Sequence, residues 1–299
     1  MSPSIPTFKL NNGITIPAVG YGTGTKWFKS SNLDELDEKV VDAVALAISN
    51  GYTHIDTAEV YNTEGEVAAA IKKAGVPREK LYITTKVLPK IGNPEAALAD
   101  SLKKLGIDYI DLYLIHAPFV TEEKHGISLE DAWAKLEKFQ EEGKVKTIGV
   151  SNFAIADLER ILKVAKIKPA VNQIEYNAYL QNQTPGIVKF SQDHGILVEA
   201  YSPLGPVIAK DEKAPLKPVL EKIATKYKKT PAQVELRWTY QNGVLPITTS
   251  ADSGRQTQSL EIFDFELTDD EVQEIRDVGL TYTFRQYWKP EYGKYENKL

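Results

Sequence analysis

The stretch LYITTKVLPKIGNPEAALADSLKKLGIDYIDLYLIH, residues 81–116, contains one complete strand-helix-strand unit, and its reading decides the fold. LYITTK (81–86) and IDLYLIH (110–116) are β-branched, apolar runs of strand length. Residues 94–105 between them carry apolar side chains at spacings of three and four, the period of a helix. Asn93-Pro94 offers an N-cap followed by proline in the first turn, and Gly106 falls where a residue of positive φ closes the last one.

The same alternation runs through the chain. PAVGYG (17–22), THID (53–56), KTIGV (146–150), AVNQIE (170–175), LVEAYS (197–202) and VLPIT (244–248) bring the strands to eight. Amphipathic stretches at 34–50, 129–142, 154–166 and 217–228 separate them, and Ser128 with Asp131, Thr230-Pro231 and Thr268 with Glu271 mark helix starts. Alternating units require a parallel sheet, and eight of them close a barrel. The expected fold is therefore α/β, a (β/α)8 TIM barrel forming a single domain over residues 1–299, with no linker-like stretch to divide it. A doubly wound open sheet is the competing architecture. It is disfavoured because GYGTGT lacks the G-x-G-x-x-G spacing and Asp56 lies too far downstream to serve as that motif's ribose ligand. Two additions flank the barrel: TFKLNNGITI reads as an N-terminal β-hairpin turning at Asn12-Gly13 and plugging one end, and residues 281–299 as a long aromatic C-terminal loop.

Composition narrows the function. With 36 Lys+Arg against 41 Asp+Glu, a net charge of −5 argues against a general nucleic-acid or anionic-membrane binder. Lys226, Lys228 and Lys229 cluster where cations complement a helix end. The absence of cysteine suits a reducing compartment, and MSPSIPTFKL has neither the charged nor the apolar region of a secretion signal, so a cytoplasmic, unprocessed protein is expected. Only 4 histidines, without H-x-H or H-E-x-x-H spacing, leave no ligand set for a metal centre.

In such a barrel the C-terminal ends of the strands share one rim, where chemistry gathers. Asp56 ends the second strand, Lys86 the third and His116 the fourth, while Tyr61 follows Asp56 by about one turn. Taken singly, these are a helix cap, a rim lysine, a core histidine and a packing tyrosine. Three successive strands ending in ionisable groups argue for a joint role. A phenol has an ordinary pKa near 10 and needs a nearby cation to release its proton. Lys86 would lower the Tyr61 pKa, Asp56 would hold Lys86, and His116 would orient a carbonyl oxygen about to be protonated. The chain shows no Ser-His-Asp arrangement, so the nucleophile is expected to be a cofactor hydride. His54, on the same side of its strand as Asp56, reads as a core residue.

These residues in their surroundings resemble the aldo-keto reductase family. HIDTAEVYNTEGEVAAAI is similar to its Asp-to-Tyr segment, ITTK to its lysine strand and DLYLIHAP to its histidine strand. IGVSNF, VNQIEYN and EAYSPLG are similar to its later cofactor-binding strands. The resemblance implies Tyr61 as general acid, Lys86 and Asp56 as its tuning pair and His116 as carbonyl orienter. It further implies Ser151, Asn152 and Gln173 around a nicotinamide carboxamide, Tyr201 stacked on the ring, and Ser202 and Leu204 along the pyrophosphate. NADPH is the expected cofactor and a small-molecule carbonyl the expected substrate, while protein partners stay open. A cofactor-sensing protein of slow turnover on the same fold is the alternative.

LPITTSADSGRQTQS departs from the family pattern: it has no lysine after Pro246, a longer gap before Arg255, and Gln258 and Ser259 in place of a usual Glu and Asn. A phosphate needs charge-assisted donors. A substitute is expected from GTGTKW, where Gly22, Thr23, Thr25 and Lys26 would meet the cofactor, Lys26 and Thr25 joining Thr249, Ser250 and Arg255 around the adenosine 2′-phosphate. GTGTKW, LQNQTPGI, PITTS and YGKY together resemble a yeast branch of the family that includes α-keto amide, α-keto ester and ketopantoyl lactone reductases. Ala117 stands where many members carry Trp, implying a roomier pocket, with Trp27, Phe119, Tyr287 and Trp288 as its expected walls.

Overall fold

A computed structural model describes residues 5–31, 33, 35–211 and 214–295. Two short strands, β1 (Thr7–Lys9) and β2 (Thr15–Pro17), pair antiparallel as the N-terminal hairpin. Eight more follow: β3 (Gly20–Gly22), β4 (His54–Asp56), β5 (Tyr82–Val87), β6 (Ile110–Ile115), β7 (Val145–Ser151), β8 (Val171–Glu175), β9 (Leu197–Tyr201) and β10 (Val244–Thr248). They run parallel in sequence order and close through β10 against β3, giving the α/β barrel of the TIM type.

Helices cover the outside because each buries one stripe and exposes the other. In Pro94–Leu105 the inward stripe is Ala97, Leu98, Ser101 and Leu105, and the Asn93 side chain caps the start by accepting from the Ala96 amide. Thr230 and Thr268 cap their helices in reciprocal capping boxes with Gln233 and Glu271. Periodicity does not reveal the helix Glu64–Ala74, whose buried stripe includes Glu64 and Glu66 and so is not apolar in sequence. The aromatic tail also differs from a plain loop, since Lys289–Tyr292 forms one helical turn; residues 296–299 lie outside the described residues.

The hairpin covers the end where the strands begin. Asn11 Nδ2 donates to the Pro169 carbonyl and Asn12 Nδ2 to Thr147 Oγ1, at 2.8 and 3.0 Å. Leu10 and Ile16 pack with Tyr82, Leu112, Leu114, Val171 and Leu245 as the floor of the barrel interior. Above that floor His54 is wholly buried and bonds Thr84 Oγ1 at 2.9 Å. Burial, with Lys86 adding to it, pulls its pKa down to about 3, so it sits there as a neutral core imidazole. The opposite end is open.

Candidate active site

Strand register sets the heights of the key side chains. Asp56 pairs with Thr84 and Lys86 with Leu114, so Asp56 and Lys86 both reach the upper rim, next to His116 just beyond β6. Tyr61 closes a single 3-10 turn, Glu59–Tyr61, whose Glu59 carboxylate accepts from the Leu88 and Lys90 amides. From the other side, the Lys29 amide donates to the Tyr61 carbonyl at 3.1 Å. The loop after β3 lies so close that a Cβ on Gly24 would come within 3.0 Å of the Tyr61 ring, which is the local reason for glycine there.

Lys86 Nζ donates to Asp56 Oδ1 at 2.6 Å and to the Thr57 carbonyl at 2.9 Å. It lies 3.5 Å from Tyr61 Oη, long for a hydrogen bond but well within Coulomb reach. His116 Nε2 lies 3.3 Å from the same Oη. Burial depresses the His116 pKa well below the ordinary value and Lys86 adds to the effect, so the imidazole is neutral at neutral pH. Burial also pulls on Lys86, but Asp56 and Tyr61 outweigh it and keep the pKa above its usual value, leaving a buried ammonium.

Tyr61 corrects an expectation. Its pKa is raised, because burial of the phenolate outweighs the pull of Lys86 and Asp56 adds to the rise. In the ligand-free site the phenol thus holds its proton firmly, and the neighbouring ammonium limits the rise without reversing it.

Behind Asp56, Gln173 Nε2 donates to Asp56 Oδ2 and Glu199 Oε2, both at 2.8 Å. The Asp56 acceptor can be met only by the amide nitrogen, so the side-chain carbonyl oxygen of Gln173 is left as the end that can face a ligand. Glu199 is fully buried, and its Oε1 has no partner among the described residues. Burial, with Asp56 adding to it, pushes its pKa from 4.5 up to about 8. A folded pKa above the unfolded one means the native chain binds the extra proton across that window. The stabilisation is whole below 4.5 and is lost as pH rises to 8, at up to ~1.4 kcal/mol per pH unit. Glu199→Gln, which imitates the protonated form, is expected to flatten the fall of stability over that window in denaturant titrations at a series of pH values.

The rim opens into a cavity of about 820 Å³. Of the residues expected there, Gly22, Thr25, Asp56, Tyr61, His116, Asn152, Gln173, Tyr201, Ser202, Leu204, Thr249, Tyr287 and Trp288 line it. Lys86 stands behind Asp56 with no exposed surface. Ser151, almost as hidden, donates to the Gln173 backbone carbonyl at 2.7 Å. Asn152 is in the left-handed region at φ 63; its amide donates to the His116 carbonyl and to Ser151 Oγ, and its Oδ1 accepts from Tyr201 Oη.

Other expected residues stand outside the cavity lining. Thr23 is buried, its hydroxyl in contact with the Asp56 carbonyl and Thr63. Trp27 is no pocket wall; it is buried and its Nε1 donates to Thr249 Oγ1 at 2.9 Å, pinning the loop after β3 to the end of β10. Lys26 is exposed above that indole, 4.6 Å from its centre. The Ser250 carbonyl accepts from Tyr21 Oη and Gln256 Nε2, while Arg255 and Gln258 are exposed on the helix Ser253–Leu260. Phe119 supports the wall from behind, packed on Trp288 at 5.2 Å and Tyr292 at 5.9 Å. Ala117 is fully buried and lies outside the lining. Sequence reasoning missed Phe28, Val60, Ile208 and Gln286, which do line the cavity. Val60 sits in the turn Glu59–Tyr61, Ile208 ends the short helix Gly205–Ile208, and Phe28 and Gln286 lie on loops; the exposed apolar surface of Phe28 and Ile208 is a signal that only the fold reveals.

A nicotinamide dinucleotide suits this cavity on its chemistry. The Gln173 carbonyl oxygen can accept from a carboxamide N–H, and the Tyr201 ring lines the same space. Gly22 and Gly24 line the same space.

The model of the Aldo/keto reductase family matches residues 19–279. The chain is 48% identical, over 96% of both sequences, to an NADPH-dependent alpha-keto amide reductase of Saccharomyces cerevisiae. It is 40% identical to an NAD/NADP-dependent indole-3-acetaldehyde reductase of Schizosaccharomyces pombe, covering 93% of this chain and 96% of that one. Among solved structures, a Bombyx mori aldo-keto reductase in complex with NADP superposes with a TM-score of 0.84 at 36% identity, covering 99% of each chain. With the family match spanning most of its length and these relatives aligned nearly end to end, the chain belongs to the aldo/keto reductase family.

Proposed function

We propose that this protein is an NADPH-dependent carbonyl reductase whose substrates are aldehydes and ketones activated by a neighbouring carbonyl, such as α-keto esters, α-keto amides, vicinal diketones and ketolactones. The observation that carries the reading is the meeting of Tyr61 Oη, Lys86 Nζ and His116 Nε2 at one point of a cavity lined by Gln173 and Tyr201. Gln173 and Asn152 would hold the carboxamide and Tyr201 the nicotinamide face, with Ser202 and Leu204 along the pyrophosphate. NADPH, when bound, supplies the hydride that reaches the carbonyl carbon.

The protein's own part is positioning and proton transfer. Tyr61 Oη gives its proton to the carbonyl oxygen, and the phenolate left behind faces the Lys86 ammonium, which Asp56 keeps charged and in place. His116 is neutral, and its Nε2 is placed to share a hydrogen bond with the same oxygen. Phe28, Val60, Tyr287 and Trp288 supply apolar walls around the reacting atoms. The absence of cysteine fits a cytoplasmic setting.

Loss of NADPH absorbance over a panel of α-keto esters, α-keto amides, diketones and simple aldehydes tests the reading. Turnover of the activated ketones supports it. Tight NADPH binding without oxidation by any of them would favour a cofactor-sensing role instead.

Preference for NADPH is a separate point. The Trp27–Thr249 bond brings the loop that bears Lys26 against the end of β10, where Thr249 lines the cavity. Lys26, with Thr25, Thr249, Ser250 and Arg255, is our candidate for the 2′-phosphate site that the missing lysine after Pro246 leaves undefined. A charge-assisted hydrogen bond is worth about 1.5–3 kcal/mol, so Lys26→Ala should weaken NADPH roughly tenfold or more. NADH affinity should stay near its original value in the same fluorescence titrations. Equal weakening of both cofactors would remove Lys26 from the site.

A further inference from the structure

We propose that Glu175 is a positioning residue for the substrate: its carboxylate clamps the backbone of the C-terminal loop and thereby sets where Tyr287 and Trp288 stand in the cavity. The inference rests on the carbonyl-reductase reading of that cavity.

Glu175 is the last residue of β8 and has no exposed surface. The Gln286 amide donates to its Oε1 at 2.7 Å and the Tyr287 amide to its Oε2 at 3.1 Å. These bonds join segments 111 and 112 residues apart in sequence. The clamp stands on a rigid base, because the Glu175 amide donates to Gln183 Oε1 at 2.7 Å and Arg285 Nη2 donates to the Gln183 carbonyl. Among the described residues no hydrogen bond or ion pair joins Glu175 to Tyr61, Lys86 or His116, and it is not part of the cavity lining. What it holds does line the cavity.

Immediately beyond the clamp, Trp288 adopts φ 50, a left-handed conformation that a bulky side chain takes only when its surroundings impose it. Its ring then leans on Phe119, while the Tyr287 ring meets Tyr201 edge-on at 5.7 Å. Downstream, Tyr292 Oη donates to the Asn152 carbonyl at 2.7 Å, a second anchor for the same segment. The loop is thus held before and after its two cavity-facing rings. Two adjacent amides need two acceptors, and only a carboxylate presents both. Glutamine would turn one of them into an N–H that faces another N–H.

Two measurements test this. In the wild-type protein, the amides of Gln286 and Tyr287 are expected to exchange with solvent deuterium far more slowly than loop amides without partners. Glu175→Gln should remove that protection and raise KM for a bulky α-keto ester about tenfold, with kcat much less affected. Affinity for NADPH should be unchanged, and Glu175→Asp, which keeps both oxygens on a shorter stem, should recover part of the loss. Rapid exchange of both amides in the wild type would overturn the clamp, even if the glutamine variant does not fold. An unchanged KM in a folded variant that has lost its protection would overturn the positioning role. The exchange readout requires no turnover, so failure of the carbonyl-reductase reading would appear separately, as an inactive wild type with protected amides.

Discussion

Tyr61→Phe is expected to lower kcat/KM by roughly 10²- to 10⁴-fold, the usual scale of a lost general acid, while NADPH binds nearly as before. The expectation is severe because no neighbour can take over. His116 Nε2 is 3.3 Å from the phenol oxygen, but its depressed pKa leaves a neutral imidazole, a hydrogen-bond donor and a far weaker acid than an imidazolium. Lys86 is fully buried, and its ammonium is already donating to Asp56 and the Thr57 carbonyl. The raised pKa of Tyr61 means that the acid form is the resting form, and the ammonium acts later, on the phenolate. Steady-state kinetics with an α-keto ester, together with a fluorescence titration of NADPH, measures both halves. Turnover retained in the phenylalanine variant would dismiss Tyr61 as the acid.

Lys86→Met should be costly twice over. Losing the cation that faces the developing phenolate is expected to slow turnover roughly 10²-fold or more, as removal of a preorganised charge does elsewhere. It also leaves Asp56, only 3% exposed, without its cation and with Gln173 Nε2 as its remaining side-chain donor. Breaking a buried pair from one side destabilises by about 3–5 kcal/mol, readable as a lowered denaturation midpoint. Adding Asp56→Asn removes the stranded charge, so the double variant should regain much of that stability and none of the activity. A single variant as stable as the wild type would show that the pair carries no structural weight.

The barrel was legible because its strands and helices alternate with clear periods, and the tetrad because strand ends meet at one rim. The sign of each Coulomb effect at Tyr61 could be read from residue types, but the depth of burial could not, and burial decided the direction of its pKa. Trp27 illustrates a second limit: an aromatic residue near a site can face inward or away, and its turn toward Thr249 depends on where β10 ends in space. Glu175 and Glu199 were hidden for a related reason. Barrel strands are buried along their whole length, so an acid in VNQIE or LVEAY carries no period-two signal of where it points. Phe28 on a loop, Val60 in a single 3-10 turn and Ile208 in a four-residue helix belong to no repeating pattern.

The hairpin and the aromatic tail sit at opposite ends of the barrel axis, which gives the molecule a handle and a working face. Attached to a solid support through Lys9 on the hairpin, whose side chain is exposed, the protein would present its mouth to the bulk solution with diffusion unobstructed. Attachment through Lys289, exposed and next to the cavity-lining Trp288, would instead crowd the entrance and compete with incoming reactant for space.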